Sequence, residues 1–177
     1  MNVFRKLVDR IAGDGSPQGF PGTLDKEENV VVSSEVRTGG HLVVTSLGLW
    51  VPAEDGARRI GWHLLSKVTW ANGELVVIEA DEIGEAGDAV LLADRAPRRY
   101  PLVEPGKLPK AVHQRVTGSI RSRHHRELPG GGAWFVQRKV PGRDGIVLQV
   151  RPDPGTDLDA VRAVAAEVAL RISEALE

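Results

Sequence analysis

The sequence predicts an α+β fold, in which antiparallel strands form a small barrel or sandwich that a C-terminal helix caps. Three observations support this fold class: the apolar pattern takes a period of two from Asn29 onward, Asp-Gly and Asn-Gly pairs divide the apolar runs, and the chain ends in an amphipathic stripe. The pair Asn72-Gly73 is the strongest signal, because a type I′ hairpin turn needs positive φ at both central residues. We expect about seven short strands.

The strand candidates are separated by residues that favour turns. The glycines at Gly39 and Gly40 mark one turn, the pair Asp55-Gly56 lies in a second, and the loop 141–145 joins the last two candidates as a hairpin. The candidate strands are 30–36, 41–45, 47–51, 59–62, 67–70, 74–80, 89–93, 99–103, 133–140 and 146–151.

Two longer segments have the apolar repeat of a helix. Leu108, Val112, Val116 and Ile120 form an apolar line at every fourth position, and we interpret residues 108–128 as a helical insertion near 107–128. The last segment, 156–176, alternates apolar steps of three and four residues. Its first residues, Thr156 and Asp159, resemble a capping box.

The beginning of the chain is expected to form a separate unit. Residues 1–11 have the pattern of a short amphipathic helix, so a helix and a glycine- and proline-rich linker occupy 1–22, and a single domain occupies 23–177. A helix this short is marginal alone in water, so it must dock on the domain, pair with a second copy of the chain as a homo-oligomer, or lie on a membrane surface. The residues expected to dock are Phe4, Leu7 and Ile11.

The motif LVVTSLGLWVP, followed by RRIGWHLLSKVTW and GELVVI, resembles the bacterial pleckstrin-homology-like group. The resemblance covers residues 29–93, and the last helix agrees in position with the helix that caps such barrels. It implies a barrel that docks peptides, lipids or other domains rather than an enzyme. Two features depart from the family pattern: a helix precedes the last hairpin, and the first hairpin has one arginine, Arg37, where phosphoinositide readers have many basic residues. No binding residue is therefore carried over from the family.

Composition and motifs exclude several classes of function. The formal net charge is -1, so no global field attracts nucleic acid, and the absence of cysteine excludes disulfides and thiolate chemistry. We see no membrane-spanning apolar run and no signal-peptide core, so we expect a cytoplasmic protein that is at most peripheral to a membrane. Nucleophile-elbow and phosphate-loop motifs are missing, and the adjacent His124 and His125 diverge by about 100° on a helix. We predict no catalytic residue, no cofactor and no metal site.

Basic residues are concentrated between Arg95 and Arg126, where Glu104 is the only acid. A solvated polar helix face is one interpretation. The functional interpretation is a surface for a protein, an anionic ligand or an anionic lipid. The residues expected to form this surface are Lys110, Arg115, Arg121, Arg123 and Arg126.

Two further hypotheses stay open at this stage. A nucleic-acid-associated protein could use the basic helix 107–126, although few aromatic residues are placed to stack on bases. A small-ligand carrier or enzyme could hold its ligand in a pocket between barrel and helix.

The tryptophans Trp50, Trp62 and Trp70 also have two interpretations. They can pack in the core, because each can bury about 200 Å², or they can line an aromatic groove for a peptide.

Overall fold

A computed structural model describes residues 13–177 as an α+β fold with eleven strands and two α-helices. The strands are β1 (Val30–Glu35), β2 (His41–Thr45), β3 (Gly48–Ala53), β4 (Gly56–Gly61), β5 (Leu65–Ala71), β6 (Glu74–Ala86), β7 (Ala89–Asp94), β8 (Arg98–Pro101), β9 (Ile120–Leu128), β10 (Gly131–Lys139) and β11 (Ile146–Pro152). The helices are α1 (Leu108–Ser119) and α2 (Leu158–Ala175), and a 3-10 turn spans Trp62–Leu64. The expected N-terminal helix, with Phe4, Leu7 and Ile11, lies outside the described residues.

The strands form two sheets. The first sheet is a four-stranded meander in the order β1-β2-β3-β4, and the second has the order β5-β6-β7-β11-β10-β9, with β8 paired to β6. The long strand β6 belongs to both halves of the second sheet, because its first residues pair with β5 and β8 and its later residues pair with β7. The pair β7–β11 is parallel, and the other strand pairs of residues 13–177 are antiparallel. A bridge between Val36 and Leu102 connects the two sheets.

The first core lies between the four-stranded sheet, strands β5, β6 and β8, and helix α1. Leu42, Leu49, Trp62 and Leu75 are buried there against Val112 of α1. This arrangement corrects one expectation, since α1 and not the C-terminal helix covers the tryptophan-rich strands. The physical reason is local: α1 follows β8 closely and buries a continuous apolar line against them.

The three tryptophans have different environments. Trp50 and Trp62 are buried, and the indole nitrogen of Trp62 donates a hydrogen bond to the carbonyl oxygen of Thr45. Trp70 is 39% exposed near the end of β5. Two of the three are therefore part of the scaffold, and they line no aromatic groove together with Trp70.

The second core lies between α2 and one face of the second sheet. Val161, Ala165 and Ala169 of α2 are buried against Phe135 and Val150. The C-terminal helix is present as expected, but it covers this core. Helix α2 follows β11 directly, and the apolar face of β10 and β11 needs a cover.

The expected helix 108–128 is half wrong, because α1 ends at Ser119 and Ile120–Leu128 is strand β9. Strand β9 pairs with β10 along its whole length. The turn between them is Pro129-Gly130, in which the φ of Gly130 is 84°. Proline followed by glycine with positive φ is typical of a type II turn. The expected number of about seven strands was also too low for the described residues.

Two local predictions have clear outcomes. Asn72 and Gly73 have φ values of 53° and 75°, as a type I′ turn requires, so that prediction is confirmed. The capping-box prediction was wrong. Asp157 caps α2 by accepting hydrogen bonds from the backbone N–H groups of Asp159 and Ala160. Thr156 is buried and forms its hydrogen bonds with the backbone of Gly132 instead.

Candidate functional site

The five predicted basic residues lie on two different elements. Lys110 and Arg115 belong to α1, and Arg121, Arg123 and Arg126 belong to β9. All five are exposed. Within residues 13–177, no carboxylate forms an ion pair with any of them. The structure therefore separates the predicted surface into two parts, of which the β9 part is the more concentrated.

Strand β9 is the outer strand of the second sheet and pairs only with β10 among the described strands. An outer strand has backbone N–H and C=O groups along its free side that can pair with another chain. Strand β9 contains one acidic residue, Glu127, among its cationic side chains. Because side chains alternate along a strand, Arg123 and His125 lie on one face, and His124 and Arg126 lie on the other.

The register of β9 changes at Arg121. Ser122 is opposite Gln137, and Ile120 is opposite Arg138, so Arg121 is an extra residue in β9. A bulge of this kind interrupts the alternation of faces and bends the strand. The three arginines of β9 are therefore divided between the two faces and the bulge.

Trp134 on β10 organises the exposed face that carries Arg123. The guanidinium carbon of Arg123 lies 4.3 Å from the centroid of the indole ring. The imidazole ring of His125 packs edge-on against the same indole at 5.0 Å, and its Nε2 atom lies 2.6 Å from Oδ2 of Asp153. These contacts hold Arg123 beside the sheet rather than leaving it free in solvent.

A small cavity lies on the same face of the second sheet, opposite the face that α2 covers. Its volume is about 30 Å³, and we call it the arginine cavity. Three arginines from three neighbouring strands line it, and no carboxylate is among the lining residues. The lining residues are Ser66, Leu92, Ile120, Arg123, Val136, Arg138, Gln149 and Arg151.

Arg138 is a buried cation without a carboxylate partner in the described part of the chain. Its side chain donates only to neutral oxygens, and the residue is 4% exposed. Burial, and then the nearby charge of Arg151, lower the pKa of Arg138 to about 10. The acceptors are Oγ of Ser119 at 3.0 Å and the carbonyl oxygens of Trp62 at 2.8 Å, His63 at 3.2 Å and Leu65 at 3.0 Å.

Two larger clefts lie on either side of the β10–β11 loop. One, of about 440 Å³, is lined by α1 residues that include Arg115, by Lys139 at the end of β10 and by the loop residue Arg143. The other, of about 620 Å³, is lined by residues that include His63, Glu82 and Arg143. Both are large enough for a small molecule, and the first lies between α1 and the β10–β11 loop.

His63 lines the second of these clefts, and burial shifts its pKa strongly. Burial, with the charges of Arg138 and Arg143, lowers the pKa of His63 to about 4, so the ring is neutral at neutral pH. Its Nδ1 atom is buried without a hydrogen-bond partner in the described structure, and the ring packs on Gly61, where a Cβ atom would lie 2.8 Å from Nδ1. No group of three His, Cys, Asp or Glu side chains in residues 13–177 is arranged to hold a metal ion.

Sequence reasoning missed Arg138, Arg151 and Gln149. Gln149 and Arg151 flank the buried Val150 on β11, whereas Arg138 shares alternate positions of β10 with the apolar Trp134 and Val136. The sequence pattern marks the three only as polar residues within candidate strands. It gives no information about which strands are neighbours, and therefore none about the convergence of the three arginines.

Comparison with known proteins gives no relative: no family model, no curated protein and no solved structure matches this chain. Neither described helix has the length and apolar character needed to cross a membrane. The function is therefore argued from the geometry of β9 and the arginine cavity.

Proposed function

We propose that the protein is a non-enzymatic binding module that pairs β9 with an extended acidic segment of a partner protein. The observation that carries the proposal is the coincidence of an outer strand with three arginines, Arg121, Arg123 and Arg126, that have no carboxylate partner among the described residues. Backbone pairing provides affinity that is independent of sequence, and charge selects an acidic partner. The partner's carboxylates would offset the mutual repulsion of Arg121, Arg123 and Arg126.

The proposal includes a pleckstrin-homology-like architecture for the first core. Support comes from the arrangement of the β1–β4 meander, strands β5, β6 and β8, and a helix that covers the buried cluster. In this arrangement α1 takes the position that the resemblance gives to the capping helix. Strands β9 to β11 and α2 are then an addition to the barrel, and the acidic segment would bind to the addition.

An acidic protein segment is favoured over nucleic acid by the aromatic side chains. Single-stranded nucleic acid binds where exposed aromatic rings stack on bases. Tyr100 and Phe135 are 8% and 7% exposed, which leaves them no face for stacking. Trp134 is the accessible ring near β9, and Arg123 and His125 already cover it.

Binding is tested with a fluorescently labelled peptide that alternates glutamate and valine. We expect saturable binding that weakens as salt is added, because exposed charges are screened. The triple variant Arg121→Glu, Arg123→Glu, Arg126→Glu should weaken binding by at least about tenfold, since like charges then face each other. A glutamine–valine peptide of the same length should bind far more weakly than the glutamate peptide.

A matched control has the same change of net charge at other exposed positions. Arg37, Lys67 and Arg162 are exposed, and none forms an ion pair with another described residue. Charge reversal at these three should leave peptide affinity within about twofold of the wild type, apart from the general field effect. Equal losses in the two triple variants would contradict the proposal. So would tighter binding of a single-stranded oligonucleotide than of the acidic peptide, which would favour the nucleic-acid hypothesis.

A further inference from the structure

We infer that the arginine cavity binds one carboxylate group, which a glutamate or aspartate side chain of the acidic segment supplies. The source of the carboxylate rests on the proposed function, whereas the cavity itself can be tested without any peptide.

The charge of the cavity is positive and unbalanced. Arg123, Arg138 and Arg151 line it, and among the described carboxylates Asp94 alone forms an ion pair with any of them, at 3.7 Å from Arg151. Asp94 also accepts a hydrogen bond of 2.5 Å from the hydroxyl of Ser66, so it is held at the margin. Three guanidinium groups with one weakly paired carboxylate give an excess of positive charge. Arg138 is the buried member of the three, and a buried charge is costly unless a counter-charge is close.

The volume of the cavity matches that of a small anionic group. A water molecule needs about 10–15 Å³ of such space, so a cavity of about 30 Å³ holds two or three atoms of that size. A carboxylate, with three heavy atoms in a plane, fits this volume. Guanidinium groups also match carboxylates in geometry, because two parallel N–H donors meet two oxygens.

The position of the cavity connects it to β9. Arg123 belongs to both, since it is exposed on β9 and lines the cavity, and its strand partner Val136 lies directly opposite it. An added strand would lie about 4.8 Å outside β9. A glutamate of that strand on the Trp134 side of the sheet would meet Arg123 first. The acidic segment would thereby have one buried anchor in addition to its backbone pairing.

The site is tested with sodium acetate at constant ionic strength, observed through the side-chain Nε–Hε NMR signals of the arginines. We expect saturable shifts for Arg123, Arg138 and Arg151, and none with acetamide, which has a similar shape and no charge. Arg151→Gln should weaken acetate binding by at least about tenfold, whereas Arg126→Gln, which removes the same charge from the opposite face of the sheet, should not. Linear shifts without saturation, or equal affinities for the two variants, would overturn the inference.

A second variant guards against a folding defect in Arg151→Gln, since Arg151 lies near Asp94. Arg151→Lys keeps the charge and removes the planar donor pair, so acetate should bind with intermediate affinity. The glutamate–valine peptide then separates the two proposals. If acetate binds in the cavity and the peptide does not bind β9, the cavity is supported and its proposed source is refuted. If the peptide binds β9 and Arg151→Gln leaves its affinity unchanged, the cavity is not the anchor.

Discussion

Arg138 on β10 donates a hydrogen bond of 2.8 Å to the carbonyl oxygen of Trp62, the first residue of the 3-10 turn. The contact joins strand β10 of the second sheet to the first core, because the indole of Trp62 is buried among the residues of that core. Gln149 on β11 reinforces it by donating to the carbonyl oxygen of His63. One cation therefore has two consequences: it fixes the 3-10 turn, and it contributes positive charge to the arginine cavity.

The first prediction concerns the structural part of this role. Arg138→Met should lower the free energy of unfolding by about 2–3 kcal/mol, because carbonyl oxygens lose their donors in a buried site. The control is Lys139→Met, an exposed neighbour on the same strand, which should change it by less than about 0.5 kcal/mol. Urea denaturation measures both. Similar changes in the free energy of unfolding for the two variants would show that Arg138 does not join β10 to the first core.

Glu28 is a buried carboxylate. Its Oε2 atom accepts hydrogen bonds from the hydroxyl of Thr45 and the indole of Trp50, and its Oε1 atom lies 2.7 Å from Arg59. Burial by itself opposes ionisation, but these hydrogen bonds, one from the backbone of Asp25 and the charge of Arg59 outweigh it. The pKa of Glu28 is therefore lowered from its ordinary value of 4.5.

The second prediction follows from the sign of this shift. A carboxylate with a lowered folded-state pKa adds stability above its unfolded pKa, and that stability is lost as the pH falls through the folded value. Glu28→Gln should cost about 1–3 kcal/mol near neutral pH, because an amide N–H₂ then faces other donors. The difference in the free energy of unfolding between Glu28→Gln and the wild type should narrow below pH 4.5. Glu27→Gln, at an exposed neighbour, is the control, and an equal pH dependence in both variants would refute the assignment.

The third prediction places a carboxylate in the arginine cavity by mutation. Val136→Asp and Val136→Asn differ by little more than charge, and Val136 lies opposite Arg123 and beside the cavity. Both variants should be less stable than wild type, because a polar residue replaces valine in a strand. The aspartate variant should be the more stable of the two near neutral pH, and the advantage should disappear as the aspartate is protonated. Thermal unfolding across pH measures this difference. An asparagine variant of equal or greater stability would contradict an excess of positive charge.

The fourth prediction compares two glycines. A Cβ atom at Gly48 would lie 2.3 Å from the carbonyl oxygen of Ile60, and one at Gly118 would meet nothing within 4 Å. Gly48→Ala should therefore destabilise the protein by about 1–3 kcal/mol, as an overpacked site does. Gly118 lies inside α1, so Gly118→Ala should stabilise it by up to about 1 kcal/mol. Thermal denaturation of both variants tests the packing of β3 against β4, and a stable Gly48→Ala variant would refute it.

Local signals in the sequence predicted local structure well. The Asn72-Gly73 turn, the candidate strand 133–140 and the amphipathic stripe of 156–176 each correspond to a described element. These signals depend on dihedral preferences and on one buried face, both of which lie within a few residues of one another. The apolar pattern does not show the boundary at Ser119, because Ile120 continues the apolar spacing of α1. The local signal for the β9–β10 hairpin is the Pro129-Gly130 pair, which is typical of a turn.

Tertiary relationships were not predictable in the same way. An apolar stripe shows that α2 buries one side, but it does not show which core receives that side. The arginine cavity depends on residues from strands β9, β10 and β11, and its Arg138 resembles any other charged residue in the run QRK. Its burial results from the approach of the 3-10 turn, which is distant in the chain. The predicted basic residues were partly useful, because Arg123 lies at both parts of the site.

The central claim is that β9 accepts an acidic segment as an added strand, and amide hydrogen exchange tests it most directly. In an outer strand, alternate backbone N–H groups point away from the neighbouring strand. With the glutamate–valine peptide bound, exchange should slow at alternate amides of β9, while β1 to β4 remain unchanged. The glutamine–valine peptide at the same concentration should give little protection. Unchanged exchange in β9 under conditions where the peptide is bound, or protection confined to other strands, would contradict the claim.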